Sequence, residues 1–316
     1  MPLCREILRE MPDMDRRMIL EHTIDSTDAG KPLKNILKSK LHLSERLVKK
    51  LKYQNKIFVN GNPVYVTHIV SENDRVKVEL ELEEDCDYIE PQDIPINILH
   101  EDSCLLVLNK QPGIVVHPTC SHPDSTIANG IVYYLKQKGI SKKVRPVSRL
   151  DRDTSGIIIF AKNPFAQETL IKQMQNKVLK KEYLGIVHGI PRDDRGTIDL
   201  PIDRKPGSIM LRHISETGAP SVTHYEVLEK FASYNAALLK FKLETGRTHQ
   251  IRVHCQAMGF PIYGDTLYSD YDDVFISRQA LHSHITEIIH PETQKEVIFT
   301  AGLPADMLKV LEIMRK

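Results

Sequence analysis

The chain has 316 residues, 41% of them hydrophobic, which is enough to bury the cores of one large and one small domain. No stretch approaches the roughly 20 apolar residues that a membrane-spanning helix needs, and the charged residues scattered through positions 1–21 exclude a signal peptide, so we expect a cytoplasmic protein without a membrane partner. The cysteines are odd in number and form no C-x-x-C pair, which favours reduced thiols over disulfides or a zinc site: Cys4, Cys86, Cys104, Cys120 and Cys255.

The net charge of +1 conceals an uneven distribution of charge. Between positions 31 and 56 nine basic residues stand against a single acid, Glu45, and between positions 78 and 90 the balance reverses. The acidic stretch follows an alternating strand pattern and is typical of a boundary between domains. We therefore predict a flexible lead at 1–19, a small domain at 20–83, an acidic linker at 84–93 and a larger domain at 94–316.

The small domain is predicted to consist of two basic helices on a small sheet. Apolar residues recur at helical spacing in residues 32–40 and again in a segment for which Ser44 is a suitable N-cap. The Asn60-Gly61 pair between apolar runs predicts a hairpin, and a third strand is expected at residues 74–80. Lysines and arginines occupy the polar sides of both helices.

A run of lysines on a helix is usually only a solvated surface. Here the ratio of nine bases to one acid favours a partner with clustered negative charge, because binding a phosphate backbone releases condensed counterions. The order helix, helix, hairpin, with the turn sequence I-F-V-N-G, resembles the S4 RNA-binding domain over about residues 20–82. That resemblance implies binding to structured RNA, for which we predict the contact residues Lys34, Lys38, Arg46, Lys49, Lys50 and Lys52.

The larger domain begins with two blocks that contain candidate functional residues. Residues 105–118 are predicted to form a strand, a Pro-Gly turn and a short strand, and a histidine such as His117 is more often packed than functional. Residues 149–156 then place Asp151 between two arginines, just before an apolar strand. Alone, this second block favours a solvated turn with neutralised acids.

Two further blocks follow. Residues 180–189 alternate as a strand with Lys181 and Tyr183 on one side, where a tyrosine is usually a core residue. After a strand at 241–245, Thr248 is the predicted cap of a helix at 249–258. Its polar face would carry His249, Arg252 and Gln256, and its inner face Ile251, Cys255 and Met258.

The start of this helix is a candidate anion site. A helix N-terminus beside Arg247 and His249 offers free amides and a cation, which suits a phosphate. A metal is not indicated, because His249 and His254 are five positions apart on different helix faces and no H-E-x-x-H motif occurs.

Together, in this order and spacing, the blocks resemble the RluA-type pseudouridine synthases. The matching motifs are R-L-D-x-x-T-S-G at 149–156, K-x-Y at 181–183 and G-R-x-H-Q-I-R at 246–252, and the resemblance runs from about residue 94 to the end of the chain. Two positions depart from the family pattern: Ser148 stands where histidine is common, and the first block reads Lys-Gln-Pro-Gly instead of Lys-Pro-x-Gly. The family implies an α+β fold with a mixed, largely antiparallel sheet, preceded here by the small S4-like αββ-type domain.

The resemblance also implies roles for individual residues. Asp151 would be the catalytic carboxylate, either as a nucleophile at ribose C1′ or as a base at C2′, and the sequence leaves both routes open. Tyr183 would stack on the uracil and could take part in removing the C5 proton. Arg247, with Arg149 as a second candidate, would hold Asp151 as an anion. Arg149 is also our candidate for occupying the space of the extruded base. The remaining substrate-binding residues would be Lys181, His249, Gln250 and Arg252.

The isomerisation involves no redox change, so we expect neither cofactor nor metal, and an RNA substrate. The S4-like module favours large-subunit ribosomal RNA over transfer RNA, and a monomer is the default. One alternative is a non-catalytic RNA-binding or ribosome-assembly protein on the same fold, which the intact aspartate, tyrosine and arginine argue against. Another is an N-glycosidase, which needs a second group to activate water, and only Asp153 neighbours Asp151.

Overall fold

The computed structural model describes residues 18–81 and 89–316. Positions 1–17 of the predicted flexible lead lie outside the described residues. The same holds for positions 84–88 of the predicted acidic linker. Met18 is buried and a strand begins at Ile19, so the last two positions of the predicted lead belong to the folded structure. No helix in the described part of the chain is both long and apolar enough to span a membrane.

The N-terminal module is a four-stranded antiparallel sheet with two helices. The order across the sheet is β1, β4, β2, β3, and the elements are β1 (Ile19–Thr23), α1 (Leu33–Ser39), α2 (Glu45–Tyr53), β2 (Ile57–Val59), β3 (Asn62–Pro63) and β4 (Arg75–Glu79). Both predicted helices are confirmed, and the Ser44 side chain caps α2 by accepting from the Leu47 N–H at 3.1 Å. Strand β1 was not predicted, because its five residues lack strict alternation and its conformation depends on pairing with β4.

The predicted hairpin turn is present at Asn60-Gly61. Both residues have positive φ, 51° and 81°, as the tight two-residue turn between antiparallel strands requires. The Asn60 side chain adds bonds to Asp74 and to the Arg75 N–H, which tie the turn to the start of β4.

The larger part of the chain is built on a ten-stranded sheet. Its strands are β5 (Ile98–Glu101), β6 (Leu105–Lys110), β7 (Arg145–Pro146), β8 (Ser155–Ala161), β9 (Lys180–His188), β10 (Arg195–Asp199), β13 (Val222–Phe231), β14 (Ala236–Leu243), β15 (Leu281–Ile289) and β16 (Glu296–Thr300). A separate two-strand hairpin comprises β11 (Ile202–Arg204) and β12 (Arg212–Ile214). The helices are α3 (Ile127–Gln137), α4 (Pro164–Gln175), α5 (Gln250–Ala257) and α6 (Ala305–Met314).

The main path across the sheet is β10, β13, β14, β9, β15, β8, β6, β5, with β16 beside β15 and β7 beside β8. Among the described strands, β15 and β8 run parallel and the other pairings are antiparallel. The predicted α+β class with a mixed, largely antiparallel sheet is confirmed. Chain segments distant in sequence therefore meet at the centre of the sheet, where β15 lies between β9 and β8.

One predicted strand is wrong. Residues 114–118 follow the expected Pro-Gly turn but do not form a strand. The backbone carbonyls of Val115 and Val116 instead accept from the N–H groups of Ile127 and Ala128, at 2.9 and 3.0 Å. The segment thus satisfies the free donors of the first turn of α3, an interaction that local sequence does not reveal.

The N-terminal module and the large sheet share one apolar cluster. Buried residues of α1, α2 and β4 lie in the same cluster as the inner faces of β6 and β8 and the helix α4. Met18 is part of this contact, since its sulfur lies 3.3 Å from both the Cys104 sulfur and the Asn163 side-chain nitrogen. The two modules therefore pack directly on each other.

At the centre of the sheet the chain requires a glycine. Gly156, opposite Ser283 in the parallel pairing of β8 and β15, has a φ of 108°. A Cβ at Gly156 would lie 2.2 Å from the Ser283 carbonyl oxygen and 2.6 Å from its nitrogen. Both the backbone conformation and the close approach of β15 exclude a side chain here.

We expect Gly156→Ala to destabilise the protein by about 2–5 kcal/mol, because left-handed strain of about 1–2 kcal/mol adds to overpacking of about 1–3 kcal/mol. Gly61→Ala is the matched control, since its φ is 81° and nothing lies within 4 Å of the added Cβ. Denaturant titrations of both variants measure the difference. Equal losses would contradict the close approach of β15.

Candidate active site

Asp151 lies in a turn between β7 and β8. We call residues 151–156 the Asp151 turn. The Thr154 N–H donates to the Asp151 carbonyl at 3.2 Å and closes the turn, while the Asp151 side chain remains 24% exposed. Asp153 points elsewhere and forms a bidentate pair with its neighbour Arg152. Of the two aspartates, Asp151 is therefore the one without a pair inside its own turn.

A buried arginine holds the Asp151 carboxylate. Arg252, two residues into α5, is 4% exposed, and its Nη1 donates to Asp151 Oδ2 at 3.2 Å. The same guanidinium forms a bidentate pair with Asp265, which is 1% exposed, at 2.6 and 2.7 Å. Because Asp265 binds Nε and Nη2 and so fixes the guanidinium, the third nitrogen, Nη1, presents a directed N–H and positive charge to Asp151.

The predicted role of Arg247 beside Asp151 is wrong. Arg247 is exposed, and its Nε donates to the Pro220 carbonyl at 3.4 Å. Helix α5 begins at Gln250, after His249 with a left-handed φ of 57°, and Thr248 is not its cap. The chain thus turns between Arg247 and the helix, so the arginine inside the helix faces the aspartate and the one before it does not.

Gln250 also differs from its predicted role in substrate binding. It is buried, and its amide nitrogen donates to the Val222 carbonyl and to Thr223 Oγ1, both at 3.0 Å. Its amide oxygen accepts from Thr245 Oγ1 and from the Arg247 N–H. With these bonds made inside the protein, Gln250 fixes the start of α5 to β13.

The inner face of α5 is partly as predicted. Ile251 and Cys255 are buried, whereas Met258 is 46% exposed because the helix ends at Ala257. Arg252, expected on the polar face, is buried, and its ion pair with the buried Asp265 compensates its charge there. Helical periodicity alone does not reveal such a pair.

His249 lies beside Asp151, with Nε2 3.8 Å from Asp151 Oδ2. Its Nδ1 lies 2.8 Å from the Tyr268 hydroxyl, which accepts from the Arg212 N–H and so can direct its own proton to the histidine. Burial lowers the pKa of His249, against the opposing effect of Asp151. The ring is therefore neutral at neutral pH and can present an N–H toward the site.

Tyr183 lies on β9, near enough to Asp151 for the charge of the aspartate to act on its phenol. It is 6% exposed and lies opposite Ser283 of β15. Burial raises the pKa of its phenol well above the ordinary value, and the negative charge of Asp151 raises it further. The phenol stays protonated at neutral pH, which favours stacking on a base over acting as a phenolate base.

Lys181 lies two residues from Tyr183 on the same side of β9. Its Nζ donates to Ser148 Oγ at 2.5 Å, so the residue that replaces the common histidine is in contact with it. Burial lowers the pKa of Lys181 to about 8. Arg149, next to Ser148 and two residues before Asp151, is exposed.

Lys110 was missed as a site residue. It is 1% exposed, and its Nζ donates to the backbone carbonyls of Gln111, Ile114 and Arg152 at 2.9, 3.0 and 2.7 Å. Burial lowers the pKa of this lysine to about 7. A lysine at the end of an apolar strand was the available signal, since a buried ammonium must find acceptors.

Residues 153–155 of the Asp151 turn are held by side chains of residues 278–282, a segment that leads into β15. Arg278 Nη1 donates to the Asp153 carbonyl at 2.9 Å, and Gln279 Nε2 donates to Thr154 Oγ1 at 3.2 Å. His282 Nδ1 lies 2.9 Å from Ser155 Oγ. Residues 153, 154 and 155 of the turn are thus each fixed by one hydrogen bond, while the Asp151 side chain stays partly exposed.

The six predicted RNA-binding residues are all exposed on the N-terminal module: Lys34, Lys38, Arg46, Lys49, Lys50 and Lys52. Lys38 pairs with Glu45. Neighbouring Lys31 and Lys40 both contact the buried Asp28 carboxylate at 2.8 Å. The basic surface is therefore less one-sided than its sequence composition, and its charge is concentrated along α2.

A second polar cluster lies away from the site. In the part of the chain that the structure describes, Asp102, Cys104 and His290 could together offer three metal ligands. However, His290 Nδ1 accepts from the backbone N–H groups of residues 292 and 293, so its Nε2 carries the proton and donates to Asp102 at 3.0 Å. This arrangement is a hydrogen-bonded network, since the ligand atom a metal would need is protonated.

Comparisons with known proteins show the family to which the chain belongs. Residues 104–257 match the RNA pseudouridylate synthase family. The chain is 40% identical over 273 residues to the uncharacterized RNA pseudouridine synthase YjbO of Bacillus subtilis, covering 86% of this chain and 95% of that protein. It is 33% identical over 317 residues to the ribosomal large subunit pseudouridine synthase D of Escherichia coli, covering 96% of each.

The fold is also similar to that of a solved human protein, RNA pseudouridylate synthase domain containing 4. The TM-score is 0.57 at 23% identity, over 69% of this chain and 93% of that chain. The extent of the sequence matches establishes the class: the chain belongs to the RNA pseudouridine synthase family and is an isomerase of that class.

We expect Arg252→Gln to lower kcat by at least roughly 100-fold, because it removes the fixed positive charge that faces Asp151. Arg247→Gln, the matched control, should leave kcat within about threefold, since Arg247 does not contact the aspartate. Single-turnover formation of pseudouridine, normalised to folded protein, measures both. A larger loss for Arg247→Gln than for Arg252→Gln would overturn the assignment.

Proposed function

We propose that this enzyme converts specific uridines to pseudouridine in structured RNA of the large ribosomal subunit, in the cytoplasm, with Asp151 as the catalytic carboxylate. The observation that carries the proposal is the geometry of Asp151. Its carboxylate is partly exposed, is fixed by the buried Arg252, and is near enough to the buried Tyr183 for its charge to act on the phenol. A carboxylate so held can act on a sugar while an aromatic ring supports the base.

The reaction breaks the bond from base N1 to ribose C1′, rotates the base and joins C5 to C1′; C5 loses its proton and N1 gains one, so the product is an isomer. Asp151 would start it by adding to C1′, in a bond that breaks again when C5 joins C1′, or by taking a proton from C2′ that returns to C2′ at that step. Both routes use the oxygen of Asp151 that faces the site, and the ion pair with Arg252 supports either by orienting the carboxylate.

Tyr183 would hold the detached uracil by stacking. Its raised pKa supports this role over proton abstraction, because the neutral phenol is an aromatic surface with no base function. His249 and Lys181 flank the same space and would contact the nucleotide. Arg149, which is exposed two residues before Asp151, would occupy the gap that the extruded base leaves, which offsets an unstacking cost of about a few kcal/mol.

The N-terminal module would serve as an S4-type RNA-binding domain. Its two helices, its small sheet and the exposed cations of α2 support this assignment. Binding a structured RNA through this module raises the effective concentration of the target at the active site without adding a contact there.

The choice of ribosomal RNA rests on relatives. Ribosomal large subunit pseudouridine synthase D of Escherichia coli aligns over 96% of both chains, N-terminal module included. We infer the same class of RNA substrate for this chain, which agrees with the S4-type module.

We expect the wild-type protein to form pseudouridine in protein-free large-subunit ribosomal RNA and Asp151→Asn to form none. Asparagine keeps the shape of the side chain but can neither add to C1′ as an anion nor accept the C2′ proton. Carbodiimide-dependent reverse-transcription stops map the product.

Asp153→Asn is the matched control and should retain activity, because Asp153 pairs with Arg152 within the turn. Modification of transfer RNA alone would reject the substrate, and an active Asp151→Asn would reject the catalytic assignment. Release of free uracil would indicate a glycosidase.

Replacing Lys34, Lys49 and Lys52 with glutamine should weaken RNA binding and make its dependence on log salt shallower by roughly 2 to 3, since each lost phosphate contact removes about 0.7–0.9 from the slope. Lys230→Gln is the control, because this lysine pairs with Asp194 on the large sheet. Binding titrations at several salt concentrations measure the slopes. An unchanged slope would leave the lysines of the N-terminal module as ordinary solvated charge.

A further inference from the structure

The C-terminal helix α6 is linked to the Asp151 turn through one buried arginine. Arg278 is 8% exposed, and its Nη1 reaches the Asp153 carbonyl at 2.9 Å. Its Nε and Nη2 form a bidentate pair with Asp306, in the first turn of α6, at 2.7 and 2.9 Å. One planar side chain therefore joins the backbone of the turn to the start of the helix.

A second link runs in parallel with the first. The Ala301 carbonyl, just before α6, accepts from His282 Nε2 at 3.2 Å. With its proton on Nε2, His282 accepts at Nδ1 from the Ser155 hydroxyl, 2.9 Å away. Burial lowers the pKa of His282 to about 4, so the ring stays neutral and this pattern persists at neutral pH. Residues 301–306 are thus linked to the Asp151 turn at two points, through Arg278 and through His282.

Helix α6 itself is firmly packed. Met307, Val310, Leu311 and Met314 are buried in the same apolar cluster as Leu150 and Tyr183. The Asp306 carboxylate is also fixed by its own chain, since Oδ1 accepts from the Met307 N–H at 2.8 Å. Asp306 is therefore a rigid point against which Arg278 is oriented.

From these contacts we propose that Arg278 and Asp306 form a positioning pair for the reaction, so that α6 sets the position of the Asp151 carboxylate. The inference rests on the proposed role of Asp151 and adds residues that lie outside the site. Lys110 and Arg278 hold the successive carbonyls of Arg152 and Asp153. Without Asp306, the guanidinium loses its bidentate partner and keeps only the bonds of Nη1 to the Asp153 and Gln279 carbonyls. Its hold on the Asp153 carbonyl is then less directed, although Lys110, Gln279 and His282 still contact the turn.

The pair acts through the geometry of the turn and not through contact with substrate. A shift of about 1 Å in a reacting group can cost roughly 100-fold in rate. Losing the pair should therefore lower kcat while leaving RNA affinity intact, because the RNA-facing residues are unchanged. A merely structural role would lower the amount of folded protein without changing kcat per folded molecule.

The test compares Asp306→Asn with Glu229→Gln in the full-length protein. Glu229 pairs with Arg315 at the other end of α6, at 2.7 Å, and makes no contact with the turn. We expect kcat for Asp306→Asn to fall roughly ten- to a hundred-fold with KM within about twofold. The control should match wild type in both, and Arg278→Lys, which keeps the charge but not the bidentate pair, should fall between them.

Amide hydrogen exchange gives a readout that does not require activity. The Thr154 N–H, bonded to the Asp151 carbonyl, should exchange faster in Asp306→Asn than in wild type or Glu229→Gln. If the exchange rate of the Thr154 N–H and kcat are both unchanged, the positioning role is rejected. The exchange result does not depend on which RNA the enzyme modifies. If Asp306→Asn does not fold, Asp306→Glu decides: its longer side chain should displace Arg278 and lower kcat, and wild-type kcat would reject the proposal.

Discussion

The site depends on one buried guanidinium shared by two carboxylates. Arg252 is almost fully removed from water, so its charge requires partners, and Asp265 supplies two bonds from a side chain that is itself buried. The remaining bond goes to Asp151, which is partly exposed. Because the inner pair fixes the arginine, the outer carboxylate is oriented without being covered. This combination of fixed geometry and open access is what chemistry on a nucleotide requires.

The sheet topology makes this arrangement possible. Asp151 precedes β8, Tyr183 lies on β9 and Arg252 follows β14, and these strands lie close together although the residues are up to 101 positions apart. The parallel contact of β15 with β8 then brings Arg278, Gln279 and His282 behind the Asp151 turn. Gly156 permits the close approach of the two strands. The fold thus supports the turn on one side and leaves the Asp151 carboxylate partly exposed on the other.

Local sequence revealed much of the fold and the main elements of the site, but not their pairings. Periodicity and turn residues predicted both N-terminal helices and the Asn60-Gly61 hairpin, since those depend on nearby residues. Motifs singled out Asp151 and Tyr183, whose roles remain predictions. Long-range partners decided the rest: Asp265 drew Arg252 to the aspartate in place of Arg247, and no local signal announces a contact between residues so far apart.

The central claim, that Asp151 held by Arg252 is the group that meets the sugar, is tested most directly by a crystal structure of the wild-type enzyme with a target RNA in which the reaction is blocked at the nucleotide. We expect one carboxylate oxygen of Asp151 to lie within about 3.5 Å of ribose C1′ or C2′, with Arg252 bonded to the other oxygen and the uracil stacked on Tyr183. A complex with the sugar beside Asp153, or with Arg252 released from Asp151, would contradict it.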